Sequence, residues 1–271
     1  MASHAVPERC EAPEKREAEV WACLERVADP ELDEPITAMG FVERVAVGAA
    51  GEVAVEFRLP TYWCSPNFAF LMAEGIRREV LALPWASRVA VCLHDHMFAD
   101  AINEGINEGR DFPAIFRELS QGQDLAELRA KFAAKAFQRR QEAVLLGLRA
   151  QGMADATITA LTLAELDVAV LVSPEAEAQR PRYRELLLAL GLARAPGDLA
   201  FCTLAGEALR VEGLAEHLRE LRSVRINMEF NGALCRGLRR TRYHEVRRED
   251  GEPTLVDFLP PSATAPPAAP R

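Results

Sequence analysis

The sequence predicts an α+β protein: a small helix–strand–strand–helix–strand domain, then a mostly α-helical domain with a terminal β-hairpin. Three observations predict it. Residues 52–59 alternate strictly, placing Val53, Val55, Phe57 and Leu59 on one face with the period of a half-buried strand. Directly after them, Phe68, Leu71, Met72, Ile76 and Val80 recur at helical spacing. From Phe112 onward the strand period disappears, and Leu125, Leu128 and Phe132 begin a long amphipathic helix.

In chain order, residues 1–13 are polar and expected to be disordered. A helix from Glu14 carries Val20, Trp21, Leu24 and Val27 on one face and ends before Pro30, since the residue before a proline is disfavoured in helix. Asp29-Pro30-Glu31-Leu32 opens an acidic loop that leads to Met39-Gly40. A strand over 41–47 turns at 48–51 into the alternating strand, so the two form a hairpin. The helix after that strand starts with Ser65 as N-cap and Pro66 at its first position, and Pro84 stops it. A third strand, residues 88–94, completes a domain spanning 14–112.

Cys64 falls at the strand-to-helix turn, next to a helix N-terminus. The positive end of the helix favours a thiolate there, the form that binds metal or attacks an electrophile. The bland alternative is a small buried apolar residue. In the third strand, Val89, Val91 and Leu93 alternate toward the core. Continued alternation would set Cys92, His94 and His96 together on the opposite face as borderline-soft ligands. Next, Ile-Asn-Glu-Gly occurs twice in tandem, over 102–109. In a helix, Ile102 and Ile106 form the buried edge while Glu104 and Glu108 stack at i, i+4. Such like-charge pairs cost roughly 0.2–0.5 kcal/mol each. These carboxylates are therefore either solvated or matched by a cation, and iron held together with His94 and His96 is the sharper version of the second case.

Beyond Phe112 the reading is a helical domain over 113–222, with Thr162-Leu-Ala-Glu165 as a capping box and residues 174–181 as a loop. Val224, Ile226, Met228 and Phe230 alternate up to Asn231-Gly232, a strong hairpin-turn signal, so 223–248 is expected as a basic β-hairpin. Its Arg236, Arg239 and Arg240 are candidates for docking an acidic partner. Residues 249–271 are rich in Pro and Ala and are expected to be disordered.

Composition narrows the function classes. The chain has 271 residues, room for two ordinary domains, and a formal net charge of −9, which argues against nucleic acid as a partner. No apolar run approaches the ~20 residues of a membrane span, and nothing resembles a secretory leader. Six cysteines without a Cys-x-x-Cys pair fit neither a disulfide scaffold nor a structural zinc site, and a reducing cytoplasm follows as the expected location.

Asp29-Pro30-Glu31, Met39-Gly40-Phe41-Val42, the alternating strand, Leu59 and then Cys64 occur in order over about residues 15–112. In this the chain resembles the metal–sulfur cluster assembly factors, the SufT/PaaD-like family, in a long form with a helical extension. Two positions depart from the family pattern: the threonine expected after the leucine is Pro60, and the proline expected after the cysteine has slipped to Pro66. The resemblance implies a non-catalytic assembly factor that carries iron or an iron–sulfur cluster transiently through Cys64 to a recipient metalloprotein. It also implies a homo-oligomer. Long family members resemble this chain and accompany bacterial monooxygenases, which makes a di-iron monooxygenase component the implied recipient. Two other classes stay open. One is an enzyme with Cys64 as nucleophile, which needs His94 or His96 as base. The other is an interaction module that keeps the fold and has lost metal handling.

Overall fold

The computed structural model describes residues 13–117, 125–243, 248–249 and 252–253. The expected disordered N-terminus and most of the Pro/Ala-rich tail lie outside the described residues. The chain forms two compact units. The first comprises Met1–Ala28, Glu34–Arg117 and Asn231–Arg271, and the second comprises Asp29–Asp33 and Glu118–Phe230.

Helix α1 (Pro13–Leu24) of the first unit is followed in the chain by the short strands β1 (Ala28–Asp29), whose second residue falls to the second unit, and β2 (Glu34–Pro35). Strands β3 (Val42–Val47) and β4 (Glu52–Arg58) then pair antiparallel as the expected hairpin, with Val47 opposite Val53. Helix α2 (Pro66–Leu81) crosses over to β5 (Arg88–His94), which runs parallel to β4; the sheet order is β3-β4-β5. The alternation read from the sequence is the one observed. Val53, Val55, Phe57, Val89, Val91 and Leu93 are all buried, and Met72, Ile76 and Val80 of α2 join them with Val20 and Leu24 of α1. Each such side chain contributes about 1.5–3 kcal/mol on burial. At the hairpin, Gly51 has φ +87°, and a Cβ there would stand 2.3 Å from the Trp85 carbonyl, so no other residue fits without moving the chain.

The tandem repeat lies in helix α3 (Ala99–Asn107) and resolves residue by residue. Ile102 and Ile106 are buried. Asn103 accepts from the Leu93 N–H at 2.7 Å and donates to the Leu93 carbonyl at 3.0 Å; Asn107 does the same for Val91 at 2.8 and 2.9 Å. Two primary amides thus stand in for a fourth strand along the outer edge of β5. The match is geometric: four helical residues advance about 6 Å and two strand residues about 6.6 Å. Gly105 allows the approach of Ile115, whose Cδ1 would lie 2.2 Å from a Cβ placed there. Gly109, at φ +75°, ends α3 with the two crossed hydrogen bonds of a Schellman cap, Gly109 N–H to Ile106 and Arg110 N–H to Gly105. The short helix α4 (Phe112–Ile115) follows, capped by Asp111.

The second unit is helical. It contains α5 (Ala126–Ala150), α6 (Asp155–Ala160), α7 (Leu163–Val168), α8 (Pro174–Ala189) and the first part of α9 (Val211–Arg242). The capping box at Thr162 and Glu165 is present. The loop expected at 174–181 is instead the start of α8: Ser173 caps it, Pro174 occupies the first turn, and Pro181 is accommodated inside. Phe137, Val144, Leu148, Tyr183, Phe201 and Leu214 belong to its core. At the centre, fully buried Gln141 donates to the Tyr183 hydroxyl and the Cys202 carbonyl, both at 2.9 Å, and its carbonyl oxygen meets His217 Nε2 at 2.6 Å. Tyr183 donates onward to the Ala200 carbonyl at 2.7 Å.

The expected hairpin over 223–248 is a correction, because residues 223–242 continue α9 as helix. Exposure shows why the alternation misleads. Met228 is 3% exposed but Ile226 and Phe230 are 48% and 70% exposed, so the three do not share a face. Leu214, Leu218, Leu221 and Met228 carry the buried helical stripe instead. The minimal pair β6 (Arg248–Glu249) and β7 (Glu252–Pro253) follows the helix.

Candidate functional site

β4 ends at Arg58, buried Leu59 anchors the exit, and the loop over residues 59–64 delivers Cys64 two residues before α2. The strand-to-helix turn is as expected. Ser65 is the N-cap residue through its carbonyl, which accepts from Phe68 and Ala69, while its hydroxyl makes no cap bond. Cys64 is half-buried, and its Sγ lies 3.1 Å from the Thr61 hydroxyl. Thr61, standing one place later than the family threonine, therefore puts a hydroxyl on the sulfur.

Three carbonyls of this loop are each held by a hydrogen bond from another segment of the first unit. Tyr243 donates its hydroxyl to Leu59 at 3.1 Å, the Met97 N–H donates to Tyr62 at 2.9 Å, and His96 Nε2 donates to Cys64 itself at 2.8 Å. His96 Nδ1 accepts from the Phe98 N–H at 3.2 Å. With one ring nitrogen accepting and the other facing a carbonyl, the ring is the neutral Nε2–H tautomer. Burial lowers its pKa below the ordinary histidine value, outweighing the upward pull of the Cys64 carbonyl, and the nearby Arg242 lowers it further.

The expected single-face cluster separates here. β5 stops at His94, and Asp95 takes φ +50°, which breaks the alternation and turns His96 inward. His94 remains on the outer sheet face, 3.1 Å from the Glu56 carboxylate. Cys92 shares that face, opposite Glu56 in register, and burial together with Glu56 pushes its thiol pKa up. Glu104 and Glu108 both pair with Arg110, at 2.8 and 2.9 Å, so the cation that offsets their repulsion is a guanidinium. Cys64, Cys92, His94, His96, Glu104 and Glu108 are thus distributed rather than gathered, and no group of three or more His, Cys, Asp or Glu among the described residues could hold a metal ion.

Asp29 folds its own turn by accepting from the Glu31 and Leu32 N–H groups at 2.9 and 3.0 Å, and Glu31 stands 3.7 Å from Lys135. Pro30 lies between them in that turn. Of the basic strip, Arg236 binds the Glu34 carboxylate at 2.6 Å and Met39 Sδ at 3.3 Å, and Arg239 lies where a side chain on Gly40 would reach. Arg240 is half-exposed near the end of α9.

Sequence reasoning missed two features. Tyr62, Trp63 and Met97 are exposed beside Cys64, with Trp63 73% exposed, and an aromatic pair between a proline and a cysteine was the available signal. Arg242 was legible only as part of the basic strip and Tyr243 not at all, because nothing local announces partners 147 and 184 residues away.

Residues 17–92 match the model of the family described as iron-sulfur cluster assembly protein. The match takes in Asp29-Pro30-Glu31, Met39-Gly40, β3 to β5 as far as Cys92, and Cys64, and it supports a metal–sulfur assembly role for this part of the chain. No curated protein and no solved structure matches.

Proposed function

We propose that the protein is a non-catalytic assembly factor that takes up iron or an iron–sulfur unit through Cys64 and passes it to a recipient metalloprotein. The observation that carries this reading is the position of Cys64. It is a half-buried thiol at the head of α2, on a loop fixed by three carbonyl contacts, inside the segment that matches the assembly family. One thiol with a neighbouring hydroxyl is a sparse donor set for iron, so the remaining ligands would come from a second copy of the chain or from the recipient. Sparse coordination suits release, since a closed four-ligand cage holds its ion. Exposed Tyr62, Trp63 and Met97 would supply apolar contact around the transfer point. A di-iron monooxygenase hydroxylase, the recipient implied by resemblance to long family members, is the first to try.

Among the described residues, the hydrogen bonds of the two candidate histidines weigh against the nucleophile alternative. His96 spends both ring nitrogens on backbone groups, and His94 is directed at Glu56.

The test is anaerobic reconstitution of the full chain with ferrous iron and sulfide, followed by gel filtration and iron analysis. Cys64→Ala should retain at least about tenfold less iron, as removal of a ligand implies, while Cys92→Ala retains the parent amount. Equal retention by Cys64→Ala and the parent would sink the proposal.

A further inference from the structure

The last turn of α9 ends on the two loops that form the Cys64 site. Tyr243 donates to the Leu59 carbonyl, where the Cys64 loop begins. Arg242 donates to the Asp95 carbonyl at 2.6 Å, one residue before the histidine that holds the Cys64 carbonyl. Arg58, at the end of β4, ties the two together. Its guanidinium lies 5.2 Å from the Tyr243 ring centroid and 3.5 Å from the Asp95 carboxylate, with Glu43 at 3.0 Å. Arg242 itself packs on the same ring at 5.0 Å. Further up the same helix, Arg236 holds Glu34 and Arg239 covers Gly40, so residues 236, 239 and 242 grip the small domain at successive turns.

We propose that Arg242 and Tyr243 are positioning residues for the Cys64 thiol. As a clasp on residues 59 and 95, they hold the thiol loop and the His96 loop in register, and so set how readily Cys64 is presented to a cargo ion or to an electrophile. The functional half of this statement rests on Cys64 being the cargo ligand; the clasp itself does not. Neither residue lies in the 17–92 segment that matches the assembly family, so the clasp is an addition made by the extension.

The test measures alkylation of individual cysteines in the full chain by iodoacetamide, followed by peptide mass spectrometry. Tyr243→Phe keeps the ring and deletes one hydrogen bond, whose net worth corresponds to about a fivefold rise in loop opening and hence in the Cys64 rate. Arg242→Ala with Tyr243→Phe should exceed that, and Arg242→Lys, which can still donate to the Asp95 carbonyl, should return toward the parent rate. The Cys92 rate should stay constant throughout. An unchanged Cys64 rate in the double variant overturns the clasp, and so does a Cys92 rate that rises in parallel, which would signal general loosening. Iron retention is then measured on the same samples. A raised Cys64 rate with unaltered retention upholds the clasp and counts against Cys64 as the ligand; a raised rate with shortened retention upholds both.

Discussion

The two units use a histidine and backbone carbonyls in opposite ways. In the helical unit, buried Gln141 is the hub of a branched network that joins Tyr183, His217 and the Cys202 carbonyl, and the thiol nearby, Cys202, is buried with its pKa raised by desolvation. In the small unit, His96 and its neighbours bond the carbonyls of a surface loop, and the thiol on that loop is half-exposed. One network keeps polar groups in; the other holds a half-exposed thiol at the surface. A satisfied internal network specifies packing, whereas a loop fixed by main-chain acceptors leaves its side chains available.

The largest effect is expected at Gln141. Gln141→Leu leaves the Cys202 carbonyl without its buried donor and the half-buried His217 ring without its acceptor, and about 3 kcal/mol of stability should go, read as a lower urea midpoint. Iron retention, normalised to folded protein, should not move. If retention falls in step with the midpoint, the Gln141 network is not confined to packing.

A smaller effect is expected on the edge of β5. Asn103→Ala with Asn107→Ala unpairs the Val91 and Leu93 backbone groups, which should cost about 2 kcal/mol and expose a bare strand edge. Concentration-dependent association in sedimentation should accompany the loss. A monodisperse double variant would mean that the amides contribute stability without guarding the edge.

The smallest effect separates the histidines by pH. His96 and His217 both have lowered folded pKa values through burial, so the unfolded chain binds protons first as pH falls. Their stabilisation is complete above the ordinary histidine value of about 6.5 and is lost as pH drops through their lower folded values. Urea midpoints should therefore decline below that pH, and His96→Gln and His217→Gln should each flatten part of the decline. A flat profile in the parent chain would remove this shared feature.

Much of the small domain was legible because its signals are local. Alternation in 52–59 and 88–94 reads directly as β4 and β5, and the proline after Ser65 marks α2. What stayed hidden depends on backbone geometry or distant partners. His96 could be placed on the face of Cys92 and His94 only if Asp95 were extended, and its positive φ is not written in its identity. The repeat over 102–109 displayed its charges openly, but the task of its asparagines depends on β5 being an edge, which follows from topology. In α9 an accidental alternation and an Asn-Gly pair outweighed the helical stripe that the burial of Leu214, Leu218 and Met228 reveals.

The chain order of the first unit has a consequence during synthesis. Its main segment ends at Arg117 and its last segment begins at Asn231, with the helical unit made in between. At roughly 5–20 residues per second, the intervening stretch occupies the ribosome for on the order of 6–23 s. Throughout that interval the nascent sheet and α2 can form, yet Leu59 and Asp95 still lack Tyr243 and Arg242. The part of the protein translated first is thus the part finished last, and its thiol reaches its final setting only after the helical unit has been made.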